Sequence, residues 1–262
     1  MNKNEIDKEI KNVSILSEVV ALPSKGYLYD NEHPLHSGQI VLKFPTAAEE
    51  DILTSKNLLQ KGLTIEKFLE AIILTPGVRL DDLFIGDENA IMYSSRILAY
   101  GPEYEVEYNC QNCGHKSNVT IDLDKLNNTE IDDALFQNGN EFIFTLPKSK
   151  EVIKFKLLTH RDEQDIQQTA KNISKYDKKS DHIGTTRLKK SIIAIDDITD
   201  RSTINSKIDT MLAIDSSKLK KYISDISPDV ITKFKFECEN CSYDKEVQIP
   251  LGVSFFWPNS EL

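Results

Sequence analysis

A chain of 262 residues that is 39% hydrophobic and 28% charged holds enough apolar material for a substantial core, and its composition is not that of a disordered segment. Its formal net charge of -10 opposes general nucleic-acid binding, because attraction to phosphates needs a basic face. No run of about 18 apolar residues occurs, so no membrane span is expected. Charges scattered through Met1 to Asn12 do not make a signal peptide. The expected setting is therefore a reducing cytoplasm, or an assembly built in one.

In chain order, residues 1–21 are expected as a polar N-terminal arm, with Ile6, Ile10 and Val13 at helical spacing. Leu22-Pro-Ser-Lys-Gly-Tyr-Leu-Tyr29 should be an edge strand or extended loop, since Pro23 and Gly26 disfavour a helix. Ile40 to Phe44 reads as a short strand. Thr46-Ala-Ala-Glu49 has the capping-box form, in which hydroxyl and carboxylate satisfy free amides of a first helical turn, so a helix should start there. A second helix is expected from Thr64 to about Leu74, where Ile65, Phe68, Leu69, Ile72 and Ile73 form one stripe, and a third from Asp87 to Tyr100, before Gly101-Pro102.

Glu103 to Tyr108 alternates, with Tyr104, Val106 and Tyr108 on one face, and Val119, Ile121 and Leu123 resume the pattern. That predicts a β-hairpin whose turn carries Cys110 and Cys113. Further on, Glu141 to Thr145 and Val152 to Leu158 read as strands. Thr159 to about Ile173 and Thr185 to about Ile198 read as helices, Tyr176 to Ile183 as a loop, and Ile208 to Ile226 as one or two helices. A second hairpin then carries Cys238 and Cys241, ahead of Phe255-Phe256-Trp257. These aromatics have two open readings: a cap on the core, or an anchor for a neighbouring subunit.

The displacement that takes Cys110 to Cys238 and Cys113 to Cys241 also takes Val106 to Phe234, Tyr108 to Phe236, Asn112 to Asn240, Val119 to Val247, Ile121 to Ile249 and Asp87 to Asp215. A shorter displacement upstream takes Thr46 to Thr159, and Ala71-Ile-Ile73 resembles Ile192-Ile-Ala194. Insertions between elements kept in one order would produce such a change. The expected fold is thus α+β, with a strand-helices-hairpin unit used twice: an arm at 1–21, a first unit at 22–126, a second at 127–254 and an aromatic tail at 255–262.

Two Cys-x-x-Cys turns in a reducing compartment point to a metal site before disulfides. Each turn can aim two thiolates at one ion about 2.3 Å from each sulfur, and two facing turns complete a tetrahedron. Cys110, Cys113, Cys238 and Cys241 are accordingly the expected ligands of one structural Zn2+, a zinc-ribbon-like site joining the units. A closed four-thiolate shell leaves no position for substrate water. His115 reads as an exposed turn residue, and His33, His36, His160 and His182 share no spacing with an acid or nucleophile. Hydrolytic nucleophile motifs, a Walker A loop, a dinucleotide fingerprint and the His-Glu-x-x-His signature are missing. Asp81-Asp82, Asp132-Asp133 and Asp196-Asp197 read as helix-end or surface charges. Neither an enzyme nor a small-molecule substrate is expected.

Several phrases in order, Leu22 to Tyr29, Phe44-Pro-Thr-Ala-Ala-Glu-Glu50, Ile85-Gly-Asp87 with Arg96 and Tyr100-Gly101, the Cys110 hairpin with its Gly114, and Phe255-Phe256, resemble the T4-type baseplate hub family of contractile-tailed bacteriophages. The resemblance covers most of the first unit and the last thirty or so residues, and is thin over about Asn127 to Ser227. It implies a non-enzymatic hub component or hub-assembly factor, made in the host cytoplasm, with other baseplate and tail hub proteins as partners and the virion baseplate as one destination. The competing expectation is an acidic zinc-ribbon adaptor of nucleic-acid or transcription machinery. Against it stand the net acidity and tips, Gln111-Asn112 and Glu239-Asn240, with no Arg or Lys for phosphates.

Overall fold

The computed structural model describes residues 15–174, 183–249 and 253–256. Its fold is mixed α+β, built from small antiparallel sheets and helices. Strands β1 (Ser17–Ala21) and β2 (Gln39–Lys43) pair antiparallel, so the last five residues of the expected arm are a strand. The rest of that arm's helical spacing lies outside the described residues. β1 leaves most of its side chains in solvent, which is why no amphipathic pattern marks it.

Leu22 to Tyr29 is neither strand nor extended loop. It is a run of tight turns, with Lys25, Tyr27 and Tyr29 amides donating to the carbonyls of Leu22, Ser24 and Gly26 at 3.0–3.1 Å. Gly26 sits at φ 83°, and a Cβ there would lie 2.2 Å from the His36 carbonyl oxygen, so only glycine fits.

Helix α1 (Ala47–Thr54) starts on the expected capping box: Thr46 and Glu49 satisfy each other's amides, and Lys43 at the end of β2 pairs with Glu49 at 2.7 Å. Short α2 (Lys56–Lys61) leads to α3 (Thr64–Ile72), which buries Phe68, Leu69 and Ile72. The helix stops short of Leu74 because Ile73 turns extended and bridges to Leu42, while the Leu74 amide donates to Val41 at 2.9 Å. α4 (Ile85–Tyr100) begins two residues before Asp87, just after Phe84 bridges to Thr159.

The hairpin β3 (Glu103–Asn109) and β4 (Lys116–Asp122) follows. Then come β5 (Phe142–Thr145), β6 (Val152–Phe155), α5 (His160–Ser174) and α6 (Ile183–Ser191). The helix expected to reach Ile198 ends at Ser191, and Ile192–Ile195 is instead β7, the third strand beside β6. A β-branched run suits a buried strand, and the Ser191 hydroxyl and the Arg201 guanidinium tie this junction to the carbonyls of Lys156 and Ile192. Helices α7 (Arg201–Asp209) and α8 (Ala213–Ile226) and the hairpin β8 (Lys233–Glu237) and β9 (Asp244–Gln248) complete the order. Most of the expected loop from Tyr176 to Ile183 lies outside the described residues.

One continuous core, including Leu35, Ile40, Leu42, Phe68, Phe155, Leu219 and Phe256, runs through both halves of the chain. Of the two readings of the terminal aromatics, the cap holds for Phe255 and Phe256, which are wholly buried. Phe256 meets Phe68 at 4.9 Å, and Phe255 meets Tyr93 and Tyr104 at 5.0 and 5.1 Å. Buried Arg96 donates to the Phe255 carbonyl at 3.2 Å and lies over the rings of Tyr100 and Tyr104. Trp257 lies outside the described residues. Among the described residues, no helix is long and apolar enough to cross a membrane.

Candidate metal centre

Both cysteine turns are shaped by the same two backbone bonds. In the first, the Cys110 amide donates to the His115 carbonyl at 2.8 Å and the Gly114 amide to the Cys110 carbonyl at 2.9 Å. In the second, Cys238 donates to Tyr243 and Ser242 to Cys238, each at 2.9 Å. The turn needs a left-handed residue, which is Gly114 at φ 72° in one case and Ser242 at φ 55° in the other. Serine there accepts a strain of about 1–2 kcal/mol that glycine avoids. The strand registers below agree as well: Asn109 faces Lys116, and Glu237 faces Asp244.

The two tips face each other, and the four sulfurs lie within 4.8 Å of one another. Two close separations cross between the hairpins: Cys110 Sγ to Cys241 Sγ and Cys113 Sγ to Cys238 Sγ, both 3.7 Å. All four thiols are free, and 3.7 Å is far beyond the roughly 2.05 Å of a disulfide. A tetrahedron with metal–sulfur bonds of about 2.3 Å has edges of about 3.8 Å, so the donor set fits one tetrahedral ion in size and chemistry.

Burial is unequal. Cys110 and Cys238 are buried, Cys241 is half-buried and Cys113 is exposed. Around them is a small apolar cluster where Tyr108 packs on Phe236 at 4.4 Å with Tyr243 and Val247, and Val119 and Phe234 pack against both it and the main core. The thiols diverge electrostatically. Side-chain donation from Asn240, helped by the backbone at His115 and by Cys241, brings Cys113 down to about 6. Burial pushes Cys238 up to about 11. A cation at the centre would displace the protons still held there, because only thiolates ligate.

All four cysteines singled out in the sequence are thus brought together. His115 is exposed and contributes its backbone carbonyl, and its ring is not part of the cluster. His160 is engaged by Glu88 at 3.0 Å, which raises its pKa, and His182 lies outside the described residues. The acidic pairs act as surface partners: Asp81 holds Arg79 and Arg161, Asp133 holds Lys25 and the Tyr27 hydroxyl, and Asp196 accepts from the Val152 amide. An open cleft of about 830 Å³, lined by Phe84, Leu157, Arg187, Ile223 and Val230, includes none of the cysteines.

The displacement between the hairpins pairs Asn112 with Asn240 and Asp87 with Asp215, and the structure gives each pair a role that spacing alone does not reveal. The Asn112 amide donates to Cys241 Sγ at 3.5 Å and the Asn240 amide to Cys113 Sγ at 3.6 Å. Near the start of α4, Asp87 accepts from the Ser24 amide at 3.0 Å and from the Ser24 and Tyr29 hydroxyls at 2.7 Å each. Near the start of α8, Asp215 accepts from the Lys148 and Ser149 amides at 2.8 and 3.0 Å. Each aspartate therefore ties a late helix to the turn of the hairpin that opens its half of the chain. The sequence signal is an aspartate at matching places near the start of the last helix before each cysteine hairpin.

Neither the curated proteins nor the solved structures contain a match to the sequence. The family model described as T4 bacteriophage base plate protein matches residues 29–257. That span takes in both cysteine hairpins and nearly all of the described fold, and the chain therefore belongs to the T4 bacteriophage base plate protein family.

Proposed function

We propose that this protein is a non-enzymatic structural or assembly component of the baseplate hub of a contractile phage tail, working through protein–protein contacts. The family match over residues 29–257 carries this reading. Family membership supports a baseplate structural role, partners among phage tail proteins and a place in the virion tail. The narrower assignment to the hub rests on the ordered phrases from Leu22 to Phe256. Isolating the tagged chain from infected cells should recover hub proteins with it. Recovery of transcription proteins or nucleic acid in their place would overturn the assignment.

Within that role, Cys110, Cys113, Cys238 and Cys241 hold one structural Zn2+ that clasps two copies of a strand-helices-hairpin unit. Three correspondences support the duplication: the hairpin registers around the cysteines, the ion pairs Lys43 to Glu49 and Lys156 to Asp162, both at 2.7 Å, and the aspartate ties of Asp87 and Asp215. The unit boundaries near 22, 127 and 254 belong to the same proposal. A four-thiolate shell offers zinc no open position, so its contribution is folding free energy at a place where little apolar core exists.

A further inference from the structure

The thiolate site has a feature that its four ligands do not explain. Four thiolates around a dication leave the centre with a net charge of -2, and half of that centre, at Cys110 and Cys238, is withdrawn from water. Such a charge needs hydrogen-bond donors or cations close by. Lys116 is paired with Glu107 at 2.8 Å, and Lys245 reaches across to the first cysteine turn but donates to the Gln111 side chain at 2.8 Å, so neither of these two lysines gives its N–H to a sulfur. Among the described residues, the nitrogen side-chain donors that reach sulfur come from the two asparagines, and each crosses to the other hairpin: Asn112 to Cys241, Asn240 to Cys113. Both sulfurs so served, Cys113 and Cys241, are the more solvent-exposed member of their pair, where a competing water or proton has easiest access.

We propose that Asn112 and Asn240 form a reciprocal outer shell to this site, each donating its side-chain N–H to a thiolate of the opposite hairpin, and that these two bonds set how tightly the site holds its metal. The inference rests on the metal reading of the four cysteines and adds residues to it. The two bonds also cross between the hairpins, so each asparagine belongs to one side of the clasp and stabilises a ligand of the other. Both act as positioning residues, because neither touches the ion. Asparagine is common in turns for its own backbone bonding, so the decisive comparison is with aspartate, which shares its size and turn preference but has no N–H to give.

The test uses the full-length chain with Zn2+, competed against a chelator, and with Co2+, whose thiolate-to-metal charge-transfer band reports electron density on sulfur. Asn112→Ala and Asn240→Ala should each weaken Zn2+ binding by about tenfold or more, and Asn112→Asp and Asn240→Asp should weaken it further. In every variant the cobalt band should move to longer wavelength, since a thiolate without its donor gives up charge more readily. Aspartate variants that hold Zn2+ like the wild type, with an unmoved band, would show that the residues serve only the turn and overturn the inference. A wild-type chain that takes up neither metal would overturn the metal reading itself, and this inference with it.

Discussion

The main core and the proposed cysteine clasp differ in the material that would hold each together. The core runs through both halves and closes on Phe255 and Phe256, delivered from the far end of the chain and pinned by Arg96. At the clasp, among the described residues, the small cluster buries only Cys110, Phe236 and Cys238, and it meets the main core through half-buried Val119 and Phe234. Hydrophobic burial scales with area, so the first region can hold itself together and the second cannot. The lesson is a division of labour: perturbing the core should move global stability, while perturbing the clasp should open the hairpin tips and spare the rest.

The largest expected effect lies in the core. Phe256→Ala removes a wholly buried ring packed on Phe68 and should cost about 3–5 kcal/mol in denaturant unfolding. A loss below about 1 kcal/mol would mean that the C-terminal segment does not close the core.

Next comes the clasp. Stripping the metal with chelator, or replacing Cys238 by Ser, should abolish hydrogen-exchange protection at the hairpin tips, Tyr108 to Ser117 and Phe236 to Lys245, while amides in α4, β6 and the Tyr104 end of β3, which belongs to the main core, stay protected. Protection lost everywhere at once would mean that the two regions are not separable.

The paired aspartates sharpen the comparison between halves. Burial pushes the Asp87 carboxyl up, more than its donors pull it down. Burial also pushes Asp215 up, but the Lys148 and Ser149 amides outweigh it and hold that carboxyl below its ordinary value. Asp215 therefore contributes stability that is present above the unfolded value near 3.8 and lost as pH falls through its lower folded value. Asp87 has the opposite sign: its contribution is present below that unfolded value and is lost as pH rises through its higher folded value. At pH 7, Asp215→Asn should destabilise more than Asp87→Asn, because the Ser24 and Tyr29 hydroxyls can rotate to accept from an amide, whereas two backbone N–H groups cannot. Melting temperatures in the reverse order would refute this account of the two ties.

The smallest effect belongs to the first helix cap. Thr46→Ala should cost about 1 kcal/mol, read from the same denaturation curves, since the hydroxyl serves amides that water can also reach.

The clasp was more legible in the sequence than the scaffold that presents it. Cysteine spacing and period-2 alternation located both hairpins, and Thr46 with Glu49 announced its helix. Strand β7 was hidden because Ile192-Ile-Ala-Ile195 follows a helical stretch and a short apolar run has no period of its own. The turns at Leu22 to Tyr29 depend on a close approach of Gly26 to the His36 carbonyl and on Asp87, which is distant in sequence. The crossing of Asn112 and Asn240 to opposite hairpins needs the tips to face each other, which spacing alone does not specify.

The central claim is that the four cysteines hold a metal ion and not one another. Metal analysis of the full-length chain, purified without added zinc or chelator and paired with a count of reactive thiols, tests it directly. The account predicts one zinc per chain, with the thiols released only when the metal is removed. Four reactive thiols with no metal, and a stability indifferent to chelator, would contradict it.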